Sequence, residues 1–185
     1  MSSPQPQMAS KFSQRLCDRL GSKWSVTAIA VVMAVGACMY PAANWLHARY
    51  RISIDLSSIR CLPERVYLVK IDNSFRPQRG EVVAFKAPHG LMLPQFDGKI
   101  IAKLVAGVPG DRVLIKNDRA YVNGQFIGEL ILNGKLGKSP GAFDRDEIVP
   151  EGKLFVIGTL PRSYDGRYWG FLNQDVLIGH VTPLL

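Results

Sequence analysis

Cysteine and histidine are both scarce in this chain, with three residues of each kind among 185. The cysteines lie before, within and beyond an apolar segment, so no two of them are well placed to form an intrachain disulfide. Neither residue type recurs at the spacing of metal ligands, and the sequence has no glycine-rich phosphate loop. We therefore expect neither a metal site nor a cofactor. The residues concerned are Cys17, Cys38, Cys61, His47, His89 and His180.

Acidic residues are almost absent from the first part of the chain. Residues 1–51 contain six lysines and arginines against Asp18 alone, whereas residues 52–185 contain 17 against 14 acidic residues. The net charge of +8 is therefore concentrated around the apolar segment, as in proteins at a membrane surface, and not on a domain face. The sequence has no basic helix and no aromatic–basic strand pattern, so we do not expect a nucleic-acid partner.

Formally charged residues are missing altogether between Trp24 and Ala48. This run is long enough to cross a bilayer, which takes roughly 20 residues of helix. Trp24, Tyr40 and Trp45 lie near its ends, where aromatic rings favour the headgroup zone. We predict a cytoplasmic tail at 1–23, a transmembrane anchor at 24–48 and an extracytoplasmic domain at 49–185. A cleaved signal peptide and a buried core helix are the alternatives, and the flanking charges leave the orientation undecided.

Beyond the anchor, short runs rich in Val, Ile, Leu and Tyr are separated by Gly, Pro, Asn and Asp. Such runs predict strands, and Asn117-Asp118 and Asn123-Gly124 predict tight hairpin turns. No segment has a convincing amphipathic helix pattern, and Leu130–Pro150 is expected to be a surface loop. The predicted fold class is mainly β, with coiled sheets and one N-terminal transmembrane helix. The predicted strands are Val66–Ile71, Glu81–Phe85, Lys99–Ala106, Arg112–Lys116, Ala120–Val122, Lys153–Ile157 and Gln174–Val181.

Lys103 is unusual because it lies in a predicted strand that is apolar on both faces. The two-residue repeat of a strand points its side chain the same way as those of Ile101 and Val105. Burial penalises the charged ammonium and favours the neutral amine, which can accept a proton as a general base. On this pattern alone, a solvent-facing lysine on an edge strand remains an alternative, as does a lysine whose stem reaches water.

Three ordered motifs add to the evidence around Lys103. They are R-G-E-V-V-x-F from Arg79, K-x-V-x-G-x-P-G-D from Lys103 and S-Y-D-G-R-Y-W-G from Ser163. Together with the anchor, they closely resemble the motifs of type I signal peptidases, and they occur in the same order. The resemblance covers the chain from Trp24 to its end. It implies a signal-peptidase-like domain of coiled antiparallel sheets, with Lys103 as the catalytic base.

The resemblance also places a nucleophile between the anchor and the first predicted strand. Short family members that resemble conjugative-transfer (TraF-like) signal peptidases carry S-x-P-x-G-x-Y there. This chain has C-L-P-E-R-V-Y from Cys61 to Tyr67, which makes Cys61 the predicted nucleophile. Sulfur suits this role because a thiolate is intrinsically strongly nucleophilic. A small buried thiol is the alternative for Cys61, and Ser57 and Ser58 are the fallback nucleophiles.

Three further residues receive supporting roles from the same resemblance. Ser163 would hydrogen-bond the amine of Lys103 and fix its rotamer. Asp165 and Arg167 would form an ion pair that braces their loop. Without the motif, a surface pair of little energetic worth is equally open for these two residues.

The sequence departs from the family pattern at several places, including Ile59 and residues 158–160. Ile59 lies where the family often has a hydroxyl that contributes to the oxyanion hole, so Ser58 or backbone N–H groups would have to serve instead. Gly158-Thr159-Leu160 replaces the family's G-D-N. Because losing one oxyanion donor typically costs about 100-fold in rate, we expect slow or narrowly directed activity.

The resemblance implies a single-pass enzyme of a bacterial inner membrane whose catalytic domain is periplasmic. It would cleave, and could cyclise, a preprotein such as a conjugative pilin precursor, in contact with membrane lipid and with a conjugation or secretion apparatus. The competing hypothesis is a non-enzymatic component of such an apparatus with an eroded site, which the presence of Lys103 and Ser163 disfavours. A self-cleaving repressor of the LexA type is a third hypothesis, disfavoured by the anchor.

Overall fold

The first part of the molecule is one long helix. The computed structural model describes residues 8–55, 60–72 and 74–184, and the chain divides into two units, Met1–Ala48 and Arg49–Leu185. Helix α1 spans Met8–Arg49, so it begins well before the predicted anchor. Its part Trp24–Arg49 is 26 residues long and apolar enough to cross a membrane, and these residues are exposed.

The second unit is built from antiparallel strands in two sheets, which confirms the predicted mainly β fold. The larger sheet has the strand order β1-β2-β11-β3-β4-β9-β10, and the smaller has β7-β6-β5-β8. The strands are β1 Tyr50–Ile54, β2 Val66–Ile71, β3 Val82–Lys86, β4 Ile100–Gly107, β5 Arg112–Lys116, β6 Arg119–Val122, β7 Gln125–Glu129, β8 Arg145–Ile148, β9 Lys153–Ile157, β10 Leu172–Asn173 and β11 Leu177–Pro183. The short helix α2 spans Gly166–Trp169, and 3-10 turns lie at Pro94–Phe96, Gly134–Leu136 and Gln174–Val176.

The two predicted hairpin turns are confirmed. Asn117 and Asp118 have φ of 52° and 59° between β5 and β6, and Asn123 and Gly124 have φ of 50° and 82° between β6 and β7. Two successive positive φ angles are the mark of a two-residue type I′ hairpin, which matches the twist of the strands it joins. Asparagine, aspartate and glycine tolerate this left-handed conformation better than other residues.

Strand β4 has different neighbours along its length. It pairs with β3 from Ile100 to Leu104, and β9 pairs with it from Leu104 to Gly107. In the described residues, the first half of β4 therefore has β3 on one side and no strand on the other. Val105 exchanges backbone hydrogen bonds with residues 80 and 81 on the β3 side. By strand alternation, Ile100 and Ala102 direct their backbone groups towards the unpaired side.

The predicted strand boundaries are close to those observed, but four strands were missed: β1, β7, β8 and the two-residue β10. β1 follows the helix directly, β7 follows the second hairpin turn, and β8 lies within the predicted Leu130–Pro150 loop, so that prediction was wrong for residues 145–148. The sequence of β8, RDEI, is largely charged and shows no apolar alternation, as befits an edge strand. The first part of predicted strand Gln174–Val181 is instead a 3-10 turn, Gln174–Val176.

Candidate active site

Lys103 is buried in the middle of β4. Only 1% of its surface is exposed, and Val83 faces it across the strand pair with β3. Its Nζ donates a hydrogen bond to Ser163 Oγ at 2.7 Å. Among the described residues no carboxylate forms an ion pair with this amine. The solvent-facing alternative is therefore wrong, because the amine is buried and hydrogen-bonded within the domain.

Ser163 reaches Lys103 from the loop between β9 and α2, and Gly158 makes room for it. The Ser163 side chain is fully buried. A Cβ built on Gly158 would lie 2.1 Å from Ser163 Oγ and 2.6 Å from the backbone oxygen of Cys61. Any side chain at residue 158 would therefore displace both neighbours, and the requirement for glycine is one of space, not of φ.

Cys61 is held against the same loop. Its carbonyl oxygen accepts a hydrogen bond from the backbone N–H of Leu160 at 3.2 Å, and the N–H of Ser163 donates to the Leu160 carbonyl at 3.1 Å. Leu160 therefore connects Cys61 and Ser163 through two backbone hydrogen bonds. Cys61 is half-buried and lines the same cleft as Lys103. Within the described residues no hydrogen bond joins its sulfur to the amine.

The turn that carries Cys61 is fixed by side chains on either side of it. Arg60 Nη1 donates to the carbonyl of Pro63 at 2.6 Å, and Tyr67 Oη donates to the carbonyl of Glu64 at 2.6 Å. Burial and the nearby negative charges of Glu64 and Asp55 raise the pKa of Tyr67 to about 12. The phenol therefore stays protonated and continues to donate this hydrogen bond throughout the neutral range.

The fallback nucleophiles Ser57 and Ser58 lie outside the described residues, as does Ile59, the residue at the predicted oxyanion position. Their roles stay predictions. The supporting role predicted for Ser58 also stays a prediction.

Asp165 and Arg167 form a buried ion pair with two hydrogen bonds. Arg167 Nε donates to Asp165 Oδ1 at 2.9 Å, and Nη2 donates to Oδ2 at 2.7 Å. The side chains are 0% and 3% exposed, so the surface-pair alternative is wrong. Burial lowers the pKa of the Arg167 guanidinium, but the hydrogen bonds and charge of Asp165 outweigh it and raise the pKa overall.

The same ion pair braces the loop that bears Ser163. Asp165 Oδ2 accepts the N–H of Gly158 at 2.8 Å, and its Oδ1 accepts the N–H of Arg167 at 3.1 Å at the start of α2. Arg167 Nη1 donates to the carbonyl of Glu129 at 2.8 Å, at the end of β7. The pair therefore joins β9, α2 and the smaller sheet, and it fixes both ends of the loop between residues 158 and 165.

An apolar cleft of about 600 Å³ opens beside Cys61 and Lys103. One wall is the unpaired half of β4, and a second comes from the 3-10 turn at Pro94–Phe96 and the residues just before it. A third comes from the excursion after β7, through Leu132 and Leu136. Tyr164 also lines the cleft and stacks on Phe96 with ring centroids 5.9 Å apart. Burial raises the pKa of Tyr164.

Sequence reasoning predicted Cys61, Lys103 and Ser163 as site residues, but it missed most of the cleft that lies beside them. Leu132 and Leu136 lie in the segment predicted as a surface loop, and nothing in its composition connects it to Lys103. Tyr67 was predicted only as part of the motif that begins at Cys61, and its hydrogen bond within that turn was missed. Its fixed spacing from Cys61 was the signal in the sequence that could have indicated this role. In the described residues, no group of three or more His, Cys, Asp or Glu side chains could hold a metal ion.

Comparison with known proteins relates the chain to one family. A family model described as "Signal peptidase, peptidase S26" matches residues 23–185. The chain is 31% identical over 153 residues to a protein named probable signal peptidase I-2 from Synechocystis, covering 81% of this chain and 66% of that protein. It is 39% identical over 90 residues to signal peptidase I from Bacillus caldolyticus, covering 43% of this chain and 50% of that protein.

The solved structures include a similar chain from Enterococcus faecalis, a signal peptidase I. It is 31% identical, with a TM-score of 0.38, and the match covers 58% of this chain and 98% of that one. The present chain spans between half and two thirds of the length of the curated relatives described above.

Proposed function

Because the chain belongs to the signal peptidase family, peptidase S26, we propose that it is a membrane-anchored endopeptidase that cleaves preproteins with a Cys61–Lys103 dyad. The observation that carries this proposal is the buried Lys103 amine, whose partner is a neutral hydroxyl. This amine opens onto a cleft that Cys61 also lines. A buried lysine without a carboxylate partner is suited to proton transfer, because its uncharged form is the one that burial favours.

The chemical steps use only these two side chains and water. The neutral Lys103 amine accepts the proton of the Cys61 thiol while the sulfur attacks the scissile carbonyl carbon. The resulting ammonium gives that proton to the leaving amine as the C–N bond breaks, which leaves an acyl thioester on Cys61. Lys103 then takes a proton from water, whose oxygen attacks the thioester. Loss of the thiolate and its reprotonation by Lys103 release the carboxylic acid and restore the enzyme.

The substrate segment lies extended along the unpaired half of β4. Ile100 and Ala102 direct backbone groups to this side, and no described strand occupies it. An extended peptide can bind such an edge by adding a strand, because main-chain hydrogen bonds supply affinity and cleft side chains supply selectivity. This placement brings the peptide past Lys103, which supports cleavage next to the strand.

The substrate we propose is a preprotein such as a conjugative pilin precursor, at a bacterial inner membrane with the catalytic domain in the periplasm. The apolar helix Trp24–Arg49 supports a membrane anchor, and the C-x-P-x-x-x-Y motif at Cys61 supports a conjugative-transfer substrate through its resemblance to that subgroup. An amine of the substrate could replace water in the last step, which would cyclise the product. Membrane lipid and a conjugation or secretion apparatus are the proposed partners.

Processing of a pilin precursor by purified full-length variants tests the dyad. We expect Cys61→Ala to abolish cleavage and Cys61→Ser to keep a fraction of it, because a hydroxyl can replace the thiol only as a weaker nucleophile. Cys38→Ala in the helix is the matched control and should cleave normally. Full processing by Cys61→Ala, together with loss of cleavage in Ser57→Ala or Ser58→Ala, would contradict the role of Cys61 and assign the nucleophile to a serine. Failure of wild-type protein on every precursor would favour the non-enzymatic alternative.

A further inference from the structure

The cleft beside the dyad is apolar in its middle and basic at its rim. Lys99, Lys135 and Arg162 line it in addition to Lys103. They come from three separate parts of the chain: the residue before β4, the 3-10 turn Gly134–Leu136, and the position directly before Ser163. Asp55 is the acidic residue among the described lining residues. Positive charge therefore exceeds negative charge around the cleft.

These three cations are available to a ligand. All three are exposed, and within the described residues none of them forms an ion pair. Some surface cations of the domain have carboxylate partners, as Arg112 has in Asp146, whereas others, such as Lys138, form no ion pair among the described residues; the three cations at the cleft differ from these in lining it together. Unpaired charges of one sign around a low-dielectric cleft focus the electrostatic potential into it and favour ligands of the opposite sign.

We infer that the substrate segment bound in this cleft is apolar with acidic side chains flanking it, and that Lys99, Lys135 and Arg162 select for those carboxylates. This inference rests on the proposed function and names the substrate class of the same site. Lys99 precedes Lys103 by four residues, which is about 13 Å along an extended strand. An acidic side chain about four residues from the scissile bond would therefore meet Lys99, and one close to the bond would meet Arg162.

Binding of labelled peptides to full-length Cys61→Ala protein in detergent measures this selection without cleavage. The probes share one apolar extended frame and carry Glu, Gln or Lys at each position in turn. Gln matches Glu in shape, so their difference reports charge alone. We expect Glu peptides to bind up to about fivefold more tightly than Gln peptides per engaged cation, which is the upper range for an exposed ion pair. The preference should shrink as salt rises.

Charge reversal locates the effect. Lys99→Glu, Lys135→Glu and Arg162→Glu should each lose the Glu preference at their own peptide position. Lys138→Glu is the matched control, because Lys138 is exposed on the same excursion as Lys135 and outside the cleft lining. The inference is overturned if Glu and Gln peptides bind equally, if no Glu peptide binds, or if Lys138→Glu weakens the preference as much as the cleft variants do.

Cleavage by wild-type protein separates this inference from the proposed function. If wild-type protein cleaves the apolar peptides without any preference for Glu, the inferred selection by charge is contradicted and the proposed peptidase function is not. A clear Glu preference in binding, with no cleavage of any frame by wild-type protein, would support the selection and count against the peptidase.

Discussion

Lys103 and Arg167 are both cations with almost no exposed surface, but their partners differ. Arg167 has two charge-assisted hydrogen bonds from its guanidinium to Asp165 and a third to a backbone carbonyl. Lys103 has a hydrogen bond to the Ser163 hydroxyl and, among the described residues, no carboxylate. The first arrangement keeps its charge and supports the structure. The second arrangement has no counter-charge among the described residues, and Lys103 lines a cleft.

Burial alone therefore does not distinguish a catalytic cation from a structural one. A buried charge with a full set of partners is a structural element, because removing either partner leaves the other uncompensated. A buried amine whose partner is a neutral hydroxyl can exist unprotonated and exchange protons with a neighbour. The two cases can be separated experimentally, because one should affect folding and the other should affect chemistry.

The largest expected effect is on activity in Lys103→Met. Methionine fills the site without a proton acceptor, so cleavage should fall by about 10²–10⁴-fold. The free energy of unfolding should stay close to that of wild type, because among the described residues Lys103 has no carboxylate partner that its removal would leave uncompensated. Cleavage assays and denaturant unfolding of the same preparation measure both. Lys70→Met, on the exposed face of β2, is the matched control and should change neither quantity.

Asp165→Asn should show the opposite behaviour. It leaves the Arg167 guanidinium buried without its counter-charge, and we expect the domain to lose about 3–5 kcal/mol of unfolding free energy. Asp146→Asn breaks the exposed pair with Arg112 and should change stability little, because solvent screens such pairs. A fully stable Asp165→Asn protein with normal activity would remove the distinction between the two cations.

Gly158→Ala should have a smaller effect, and we expect it on both the stability of the domain and its cleavage activity. Residue 158 donates its N–H to Asp165 and lies against Ser163 and the Cys61 carbonyl. The added methyl group has no space, so we expect about 1–3 kcal/mol of destabilisation together with reduced cleavage. In the control Gly134→Ala, the new Cβ meets nothing within 4 Å. Unchanged cleavage in Gly158→Ala would show that the position of Ser163 matters less than the hydrogen bond suggests.

The strands and the lysine were predictable because their signals are local. Alternation and turn residues identified most strands, and asparagine and aspartate at residues 117 and 118 identified a hairpin. Lys103 stood out because the sequence of β4 is apolar on both faces, and this pattern can be recognised without knowing which strands pack against it. The charged strand β8 was not, because an edge strand needs no apolar face and so leaves no periodic signal.

The assembly of the site depends on contacts that no local pattern encodes. Leu132 and Leu136 reach the cleft from a segment whose composition indicates only a loop, and Gly158 is required by the proximity of Ser163 and Cys61, which are far apart in sequence. The pairing of Asp165 with Arg167 was suggested by a motif. Its burial follows from the packing of α2 against β9 and the end of β7, which only the folded chain provides.

The most direct test of a neutral Lys103 acting on Cys61 is the alkylation rate of that thiol. In a Cys17→Ser/Cys38→Ser background, Cys61 is the sole thiol and its reaction with the uncharged reagent iodoacetamide can be followed at fixed pH. If the amine accepts the thiol proton, adding Lys103→Met should slow alkylation by about tenfold or more, since the thiolate is the reactive form. Equal rates with and without Lys103 would contradict the dyad.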